Sequence, residues 1–238
     1  ASDVYKRQWI YKMTHPMQRK VLKEVCAKLD PTRPYWTSSP TNPDDDMDFN
    51  SPYKGDTHNW HHGYHYEHEV YSKDESRFVS EIGHLSSPNL ETVKGFLPED
   101  KLWPPDSEYW DYHYGTFDNY FPKRREKVDD ALEKTGFGRA NSLEEYVIKT
   151  QFLQALALKS WIEHYRRRKF ECGGVLYWNL HDAWPQFADA VTDYYCRKKI
   201  AYDFVRRAFS DVLPSFKKED DGSISVWGIN DLYQDLKG

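Results

Sequence analysis

The sequence predicts an α/β protein whose strands form a parallel sheet. Short predicted strands alternate with predicted helices as far as residue 209, which is typical of parallel sheets joined by crossover helices. In the stretch Arg77–Gly83, a short apolar strand is followed at once by Glu81 and then by a glycine. A carboxylate at the C-terminal end of a strand is how a (β/α)₈ barrel presents catalytic groups. The two observations favour a sheet whose C-terminal edge carries the chemistry.

Length, charge and amino-acid composition limit the classes of protein to which this chain can belong. The 238 residues are enough to bury a sizeable core, and a net charge of −5 with a pI near 6.1 predicts neither nucleic acid nor an anionic membrane surface as partner. No run of about 18 apolar residues predicts a membrane span. Aromatic residues make up 16%, with nine Trp and 18 Tyr, although the mean hydropathy is −0.90. Such rings either stack on ligands or fill a core.

Two further features are expected to have no part in the chemistry. Cys26, Cys172 and Cys196 are odd in number and widely spaced, which predicts neither a disulfide framework nor a thiolate metal site. Residues 1–8, which do not begin with Met, are expected to be a non-native leader.

The first elements follow from periodicity and turn residues. A helix is predicted over 16–29, with a proline in its first turn and apolar residues at three- and four-residue spacing. A short strand at 35–38 enters a loop at 39–55 that is rich in Pro and Asp, and a second strand is predicted at 56–60. The His- and ring-rich segment 61–71 has no assigned structure.

The second half of the chain is dominated by a long helix. Ser142–Glu145 forms a capping-box pattern that begins this helix, which is predicted to end near residue 168. Apolar residues occur on most sides of the helix, which predicts that it is well buried. The other predicted elements are a helix at 87–97, an aromatic excursion at 99–122 with short helical turns, a helix at 123–134, a strand at 173–180, a helix at 199–209, a polar linker at 214–222 and a strand at 224–230.

Four motifs in this order carry a resemblance to a known family. They are Asp30–Pro40, Gly55–Trp60, Arg77–Gly83 and Tyr177–Pro185. Together they resemble the second half of the catalytic barrel of glycoside hydrolase family 2, in its β-mannosidase-like branch. The resemblance covers about residues 35–209, and Ser223–Asn230 is similar to the opening of the β-sandwich that follows the barrel in that family.

The resemblance implies a fold and its boundaries. It implies a partial (β/α)₈ TIM barrel with strands five to eight near 35–38, 56–60, 77–81 and 174–180, followed by the first strand of a β-sandwich domain. Residues 9–212 would then be the C-terminal half of the glycosidase barrel, and residues 213–238 a linker and the start of an immunoglobulin-like β-sandwich.

Glu81 falls on the nucleophile position of the family's Ser-Glu-aromatic-Gly motif, with Ile82 in place of the aromatic residue. The alternative for Glu81 is a strand-end ion pair, for example with Arg77. The resemblance implies a fragment of a retaining exo-acting β-glycosidase, a β-mannosidase, that acts by double displacement without a cofactor. Such an enzyme needs a second carboxylic acid about 5–5.5 Å from the nucleophile. The family's acid/base follows an Asn, and no Asn-Glu pair occurs here, so the isolated chain is expected to be inactive.

The resemblance also implies residues that bind the glycoside substrate. Trp178 is expected to be the stacking platform for the sugar in the −1 subsite, with a core tryptophan as the alternative. His58 and Trp60 are expected to bond and stack the sugar or else to line the barrel top. Asp182 and Trp184 lie on the loop after the last strand, where sugar contact and loop structure are equal explanations. The sugar itself, mannoside, glucosaminide or another equatorial β-sugar, stays open.

Two other function classes stay open. Five of the ten histidines lie within eleven residues, at His58, His61, His62, His65 and His68. The four-residue spacing of His61 and His65 and the three-residue spacing of His65 and His68 suit a metal on a helix, with Glu67 and Glu69 as added ligands. A known zinc motif is absent from the segment, so no metal site is predicted. A non-catalytic carbohydrate-binding module would keep the tryptophans and make Glu81 dispensable.

Overall fold

The computed structural model describes residues 16–42, 44, 48–60, 66, 69–115 and 123–236 of the chain. Its central element is a three-stranded parallel sheet of β1 (Thr57–Trp60), β2 (Val79–Gly83) and β3 (Val175–Tyr177), in that spatial order. The predicted α/β class with a parallel sheet is therefore confirmed.

The helices lie close to their predicted positions. A π-helical segment, Met17–Leu22, leads into α1 (Lys23–Leu29), and the later helices are α2 (Leu90–Phe96), α3 (Glu108–Tyr114), α4 (Arg124–Lys134), α5 (Leu143–Arg167) and α6 (Ile200–Ala208), with 3₁₀ turns at Glu69–Tyr71 and Glu99–Lys101. None of the described helices is long and apolar enough to cross a membrane.

The strand predicted at 35–38 is wrong, because this segment runs through bends instead. Pro34 and Pro40 have no backbone N–H for a ladder, and the Ser38 hydroxyl donates to the Pro40 carbonyl at 3.0 Å. The segment still reaches β1. The backbone N–H of Asp56 donates to the Thr41 carbonyl at 3.1 Å, and the Thr41 N–H donates to Asp56 Oδ1 at 2.8 Å. The Asp56 carboxylate thus accepts a hydrogen bond that a backbone carbonyl would accept in a regular sheet.

Helix α5 organises the core. Its N-terminus is capped as predicted, since Ser142 Oγ accepts from the Glu145 N–H at 3.3 Å, although the Glu145 carboxylate accepts from the Asn141 N–H at 3.0 Å. One face of the sheet packs on α5 and α6, with Val79 and Ile82 fully buried. The main buried helix residues in this cluster are Ala155, Ala157, Leu158, Trp161, Ile162, Tyr165, Ala201, Val205 and Ala208.

The aromatic excursion builds a second core against the start of α5. Phe187, on the loop after β3, stacks on both Trp110 and Tyr114 of α3, with ring centroids 4.5 and 4.6 Å away. The hydroxyls of Tyr114 and Tyr146 share a hydrogen bond of 2.5 Å. Many of the rings that stood out in the composition are therefore core residues, and they pin the excursion to the loop that borders the sheet.

The polar linker predicted at 214–222 is only partly correct, because most of it is a strand. β4 (Val212–Lys218) and β5 (Ile224–Asn230) form an antiparallel hairpin with a turn at 219–223. Ser215 faces α5, where its hydroxyl donates to Glu163 Oε2 at 2.6 Å and accepts from Arg167 at 2.6 Å. A strand that buries a polar residue against charged partners does not show an apolar alternation in the sequence.

Gly83 ends β2 where the sheet meets the ring of Trp60. A Cβ at this position would overlap the Trp60 ring and lie 3.1 Å from Asp189 Oδ1. The close approach of ring and backbone at the end of the sheet therefore requires glycine.

We predict that Gly83→Ala destabilises the chain by ~1–3 kcal/mol, because the added methyl displaces the Trp60 ring or the backbone of β2. Gly228→Ala in β5 is the matched control, since a Cβ there meets nothing within 4 Å. The free energy of unfolding from urea titrations measures both. Equal effects of the two substitutions would contradict the close contact.

Candidate active site

A β-bulge in β2 shapes the candidate site. Thr57 pairs with Val79 but His58 pairs with Glu81, so that β2 has one extra residue, Ser80. The register between β2 and β3 shifts over the same residues. As a result Ser80 and Glu81, although adjacent in sequence, both reach one polar cluster on the face of the sheet opposite α5. Bulges that re-aim a side chain are common beside active sites.

Glu81 is half-buried in this cluster. Its Oε2 lies 3.2 Å from His58 Nδ1, and the Trp60 side chain donates a hydrogen bond to the carboxylate. Burial raises the pKa of Glu81, the Trp60 hydrogen bond opposes that effect, and the nearby charge of Asp56 adds to it. The ionic partner of Glu81 among the described residues is His58, and the alternative pairing with Arg77 does not form.

Asp56 is the second carboxylate of the cluster, and its pKa is shifted in the opposite direction from that of Glu81. Its Oδ2 accepts from the hydroxyls of Ser39 and Ser80, each at 2.6 Å, and its Oδ1 accepts from the Thr41 N–H at 2.8 Å. Burial alone would raise the pKa of Asp56, but these hydrogen bonds outweigh it and hold the pKa below its ordinary value. Asp56 is therefore a fixed negative charge.

His58 joins the two carboxylates. Its Nδ1 faces Glu81, and its Nε2 lies 2.8 Å from Ser39 Oγ and 3.9 Å from Asp56 Oδ2. The Asn50 side chain holds the backbone of His58 with hydrogen bonds of 2.8 and 3.2 Å. Burial lowers the pKa of His58 and the charge of Asp56 opposes this. Both ring nitrogens contact protein atoms, which favours the second of the two expectations for His58, that it lines the end of the sheet.

The two tryptophans at the strand ends lie on the same side as Glu81. Trp60 follows His58 by two residues on β1, so the pleat puts both side chains on one face. Trp178 follows the last residue of β3, and its backbone N–H donates to the backbone carbonyl of Ile82 at 2.7 Å. The Trp178 side chain is 49% exposed, so it is not a core tryptophan in this structure.

Trp184 belongs to an aromatic group at the rim. Its ring stacks on His113 at 5.6 Å and meets the edge of Tyr112 at 5.6 Å. His113 Nδ1 lies 2.7 Å from the Pro185 carbonyl, which fixes the loop after β3 to α3. This arrangement holds the Trp184 ring in place, partly exposed.

Asp182 is buried beneath the loop after β3. It is 1% exposed, accepts from Gln186 Nε2 at 3.0 Å and lies 3.8 Å from the fully buried Lys199. Lys199 also donates to the Ala188 carbonyl at 3.1 Å. Of the two explanations for Asp182, its burial favours loop structure.

The polar residues that organise the cluster were not among the residues predicted from the sequence, and they are Ser39, Asn50, Asp56 and Ser80. Ser39, Asp56 and Ser80 lie in three of the four motifs that carry the resemblance, so motif membership was the available signal. Asn50 lies in the loop predicted at 39–55, and its role depends on tertiary contact with β1.

Of the five clustered histidines, His58 is the one that lies within the residues that the structure describes. His61, His62, His65, His68 and Glu67 lie outside the described residues. Within the described part of the chain, no group of three or more His, Cys, Asp or Glu side chains is arranged to hold a metal ion.

The chain was compared with families, curated proteins and solved structures. No family model matches it. It is 29% identical over 236 residues to β-mannosidase B of Aspergillus terreus, covering 92% of this chain and 27% of that protein. It is 31% identical over 203 residues to β-mannosidase B of Thermothelomyces thermophilus, covering 81% and 23%. The β-D-mannosidase structure from Dictyoglomus thermophilum superposes with a TM-score of 0.80 at 36% identity, covering 92% of this chain and 26% of that one. The chain spans about a quarter of the length of these relatives.

We predict that Lys199→Met destabilises the chain by ~3–5 kcal/mol, because it leaves the buried Asp182 carboxylate without the cation beside it. Lys198→Met is the matched control, since Lys198 is exposed and contacts the Tyr202 ring at 4.3 Å. Thermal or urea unfolding measures the difference. A small loss for Lys199→Met would show that the buried cation is dispensable.

A pH dependence is predicted from Asp189. Burial raises its pKa to about 7, despite Arg124 at 3.6 Å, whereas the unfolded residue ionises near ~4. Between these values the folded chain binds more protons, so its stability falls as pH rises from ~4 towards 7. Asp189→Asn should flatten this slope in unfolding free energies measured across that range. An unchanged slope would mean that another group is responsible.

Proposed function

The chain belongs to the β-mannosidase-like branch of glycoside hydrolase family 2, and we propose that it supplies the nucleophile half of a retaining β-mannosidase. The observation that carries the proposal is the position of Glu81, which a bulge turns towards His58 and Trp60 at the C-terminal ends of parallel strands. Catalytic groups of (β/α)₈ barrels lie at that end of the sheet.

The finer fold assignment is part of the proposal. We propose that β1, β2 and β3 are strands six to eight of a TIM barrel, with the bent segment 35–42 beside β1 in the position of strand five. The hairpin of β4 and β5 then opens a β-sandwich, and the domain boundary lies near residue 212.

In the proposed reaction a Glu81 carboxylate oxygen attacks C1 of the sugar. The C1–O bond to the leaving group breaks, and the leaving oxygen takes the electron pair and a proton from a second carboxylic acid. Water then attacks C1 of the glycosyl ester, gives its proton to the same acid residue and releases Glu81 as a carboxylate.

The proposed acid is not Asp56. A general acid needs a raised pKa so that it holds a proton at working pH. The three hydrogen bonds to Asp56 lower its pKa instead. Because the chain has no Asn-Glu pair, we place the acid/base in sequence that precedes these 238 residues in the complete enzyme.

Tryptophan rings supply the proposed sugar platform. Trp178 has an exposed ring at the end of β3, and Trp60 donates to Glu81 from β1. A few polar groups beside apolar ring surface are what small-ligand sites present. We propose that Trp178 stacks on the sugar whose C1 faces Glu81, and that Trp184 borders the adjoining position.

We predict that the chain, joined to the sequence that precedes it in its reading frame, forms a covalent adduct with a 2-deoxy-2-fluoro-β-mannosyl donor. Mass spectrometry of peptides should place the adduct on Glu81. Glu81→Gln should remove the adduct and lower kcat by several orders of magnitude, as loss of other nucleophiles does.

The matched control is Glu75→Gln, because Glu75 is exposed on the loop before β2 and bonds Tyr53 instead of the cluster. It should leave labelling and activity unchanged. Sugar binding that survives in Glu81→Gln, with no adduct in the unsubstituted protein, would contradict the enzyme and favour a carbohydrate-binding module.

A further inference from the structure

The contacts around His58 determine where the hydroxyl hydrogen of Ser39 and the ring hydrogen of His58 lie. Ser39 has one hydroxyl hydrogen. Its Oγ lies 2.6 Å from Asp56 Oδ2, a distance that two oxygens reach only with a hydrogen between them. Asp56 is held in its ionised form by two further donors, so the hydrogen belongs to Ser39 and points to Asp56.

This fixes the tautomer of His58. Because the Ser39 hydrogen is directed at Asp56, Ser39 Oγ can only accept from the imidazole, and the 2.8 Å contact requires a hydrogen on His58 Nε2. A neutral imidazole has a hydrogen on only one of its two ring nitrogens. In a neutral His58, Nδ1 therefore carries a lone pair and no hydrogen.

Nδ1 faces Glu81 Oε2 at 3.2 Å. At this distance a lone pair and an ionised carboxylate oxygen would repel each other, so one of the two groups carries one more hydrogen. We infer that His58 and Glu81 share a single proton, and that the Asp56–Ser39 pair fixes the imidazole so that this proton can move only between Nδ1 and the carboxylate. His58 is thus a positioning residue for Glu81.

The catalytic consequence rests on the proposed function. With the proton on Glu81 the acid is neutral and cannot attack. With the proton on His58, the carboxylate is ionised and has an imidazolium partner. When the carboxylate becomes a glycosyl ester, the Asp56 charge, 3.9 Å from Nε2, remains as the counter-charge of the imidazolium. Every step conserves the one shared proton.

Among the described residues, one further charge acts on the pair. Asp56, at the start of β1, acts on both His58 and Glu81, while Asn50 and Trp60 contribute neutral hydrogen bonds. Burial moves the pKa of Glu81 up and that of His58 down, which brings the two groups closer in proton affinity. Two groups coupled in this way titrate as a pair.

Ring ¹⁵N shifts of His58 in the 238-residue chain test the inference directly. We expect Nε2 to keep its hydrogen at every pH and Nδ1 alone to gain and lose one. Ser39→Ala should release the constraint, so that neutral His58 adopts the Nδ1–H tautomer facing Glu81. Ser38→Ala is the matched control, because the Ser38 hydroxyl bonds the Pro40 carbonyl and should leave the tautomer unchanged. An Nδ1–H tautomer in the unsubstituted chain would overturn the inference.

A second measurement uses the chain joined to its preceding sequence. In His58→Gln the carboxylate loses its imidazolium partner, so the acid limb of the kcat/KM profile should move to higher pH by about one unit. If Glu81 is labelled covalently but this limb does not move, the inference fails and the proposed function stands. If the ring shifts agree but no adduct forms on Glu81, the proposed function fails and the shared proton stands.

Discussion

The extra residue in β2 is the constraint on which the site depends. A regular strand would send Ser80 and Glu81 to opposite faces, and one of them would enter the core beside α5. With Ser80 unpaired, its hydroxyl reaches Asp56 while Glu81 lies opposite His58. The same bulge keeps Val79 and Ile82 in the core, so that β2 serves both faces of the sheet within four residues.

A second layer supports this arrangement from behind. The Trp60 ring rests on the backbone of Gly83, and Asp189 lies beside the same contact with Arg124 as its partner. Lys199 and Asp182 continue the buried charges under the loop after β3. Burying ions is costly unless they are paired, so this layer fixes the loop geometry more than it adds stability. The loop in turn carries Trp184 at the rim.

The sequence predicted the elements better than the contacts between them. Helix α5 could be predicted because Ser142 caps it and its apolar residues recur with helical spacing. The strand at 35–38 failed because prolines flank it and the next backbone donor, the Thr41 N–H, bonds the Asp56 side chain. β4 was missed because its buried Ser215 is satisfied by Glu163. These compensations are tertiary, and periodicity in one segment does not report them.

The same limit explains why a motif led to the proposal for Glu81, while the proposed role of His58 needed the structure. A motif names a residue, but the partner of each ring nitrogen depends on Ser39, nineteen positions earlier in the chain. Within one cluster, three hydrogen bonds lower the pKa of Asp56 and burial raises that of Glu81. Carboxylates whose environments separate their pKa values take different roles. Asp56 holds its charge and orients His58, whereas Glu81 is left with a charge that a proton on His58 can control.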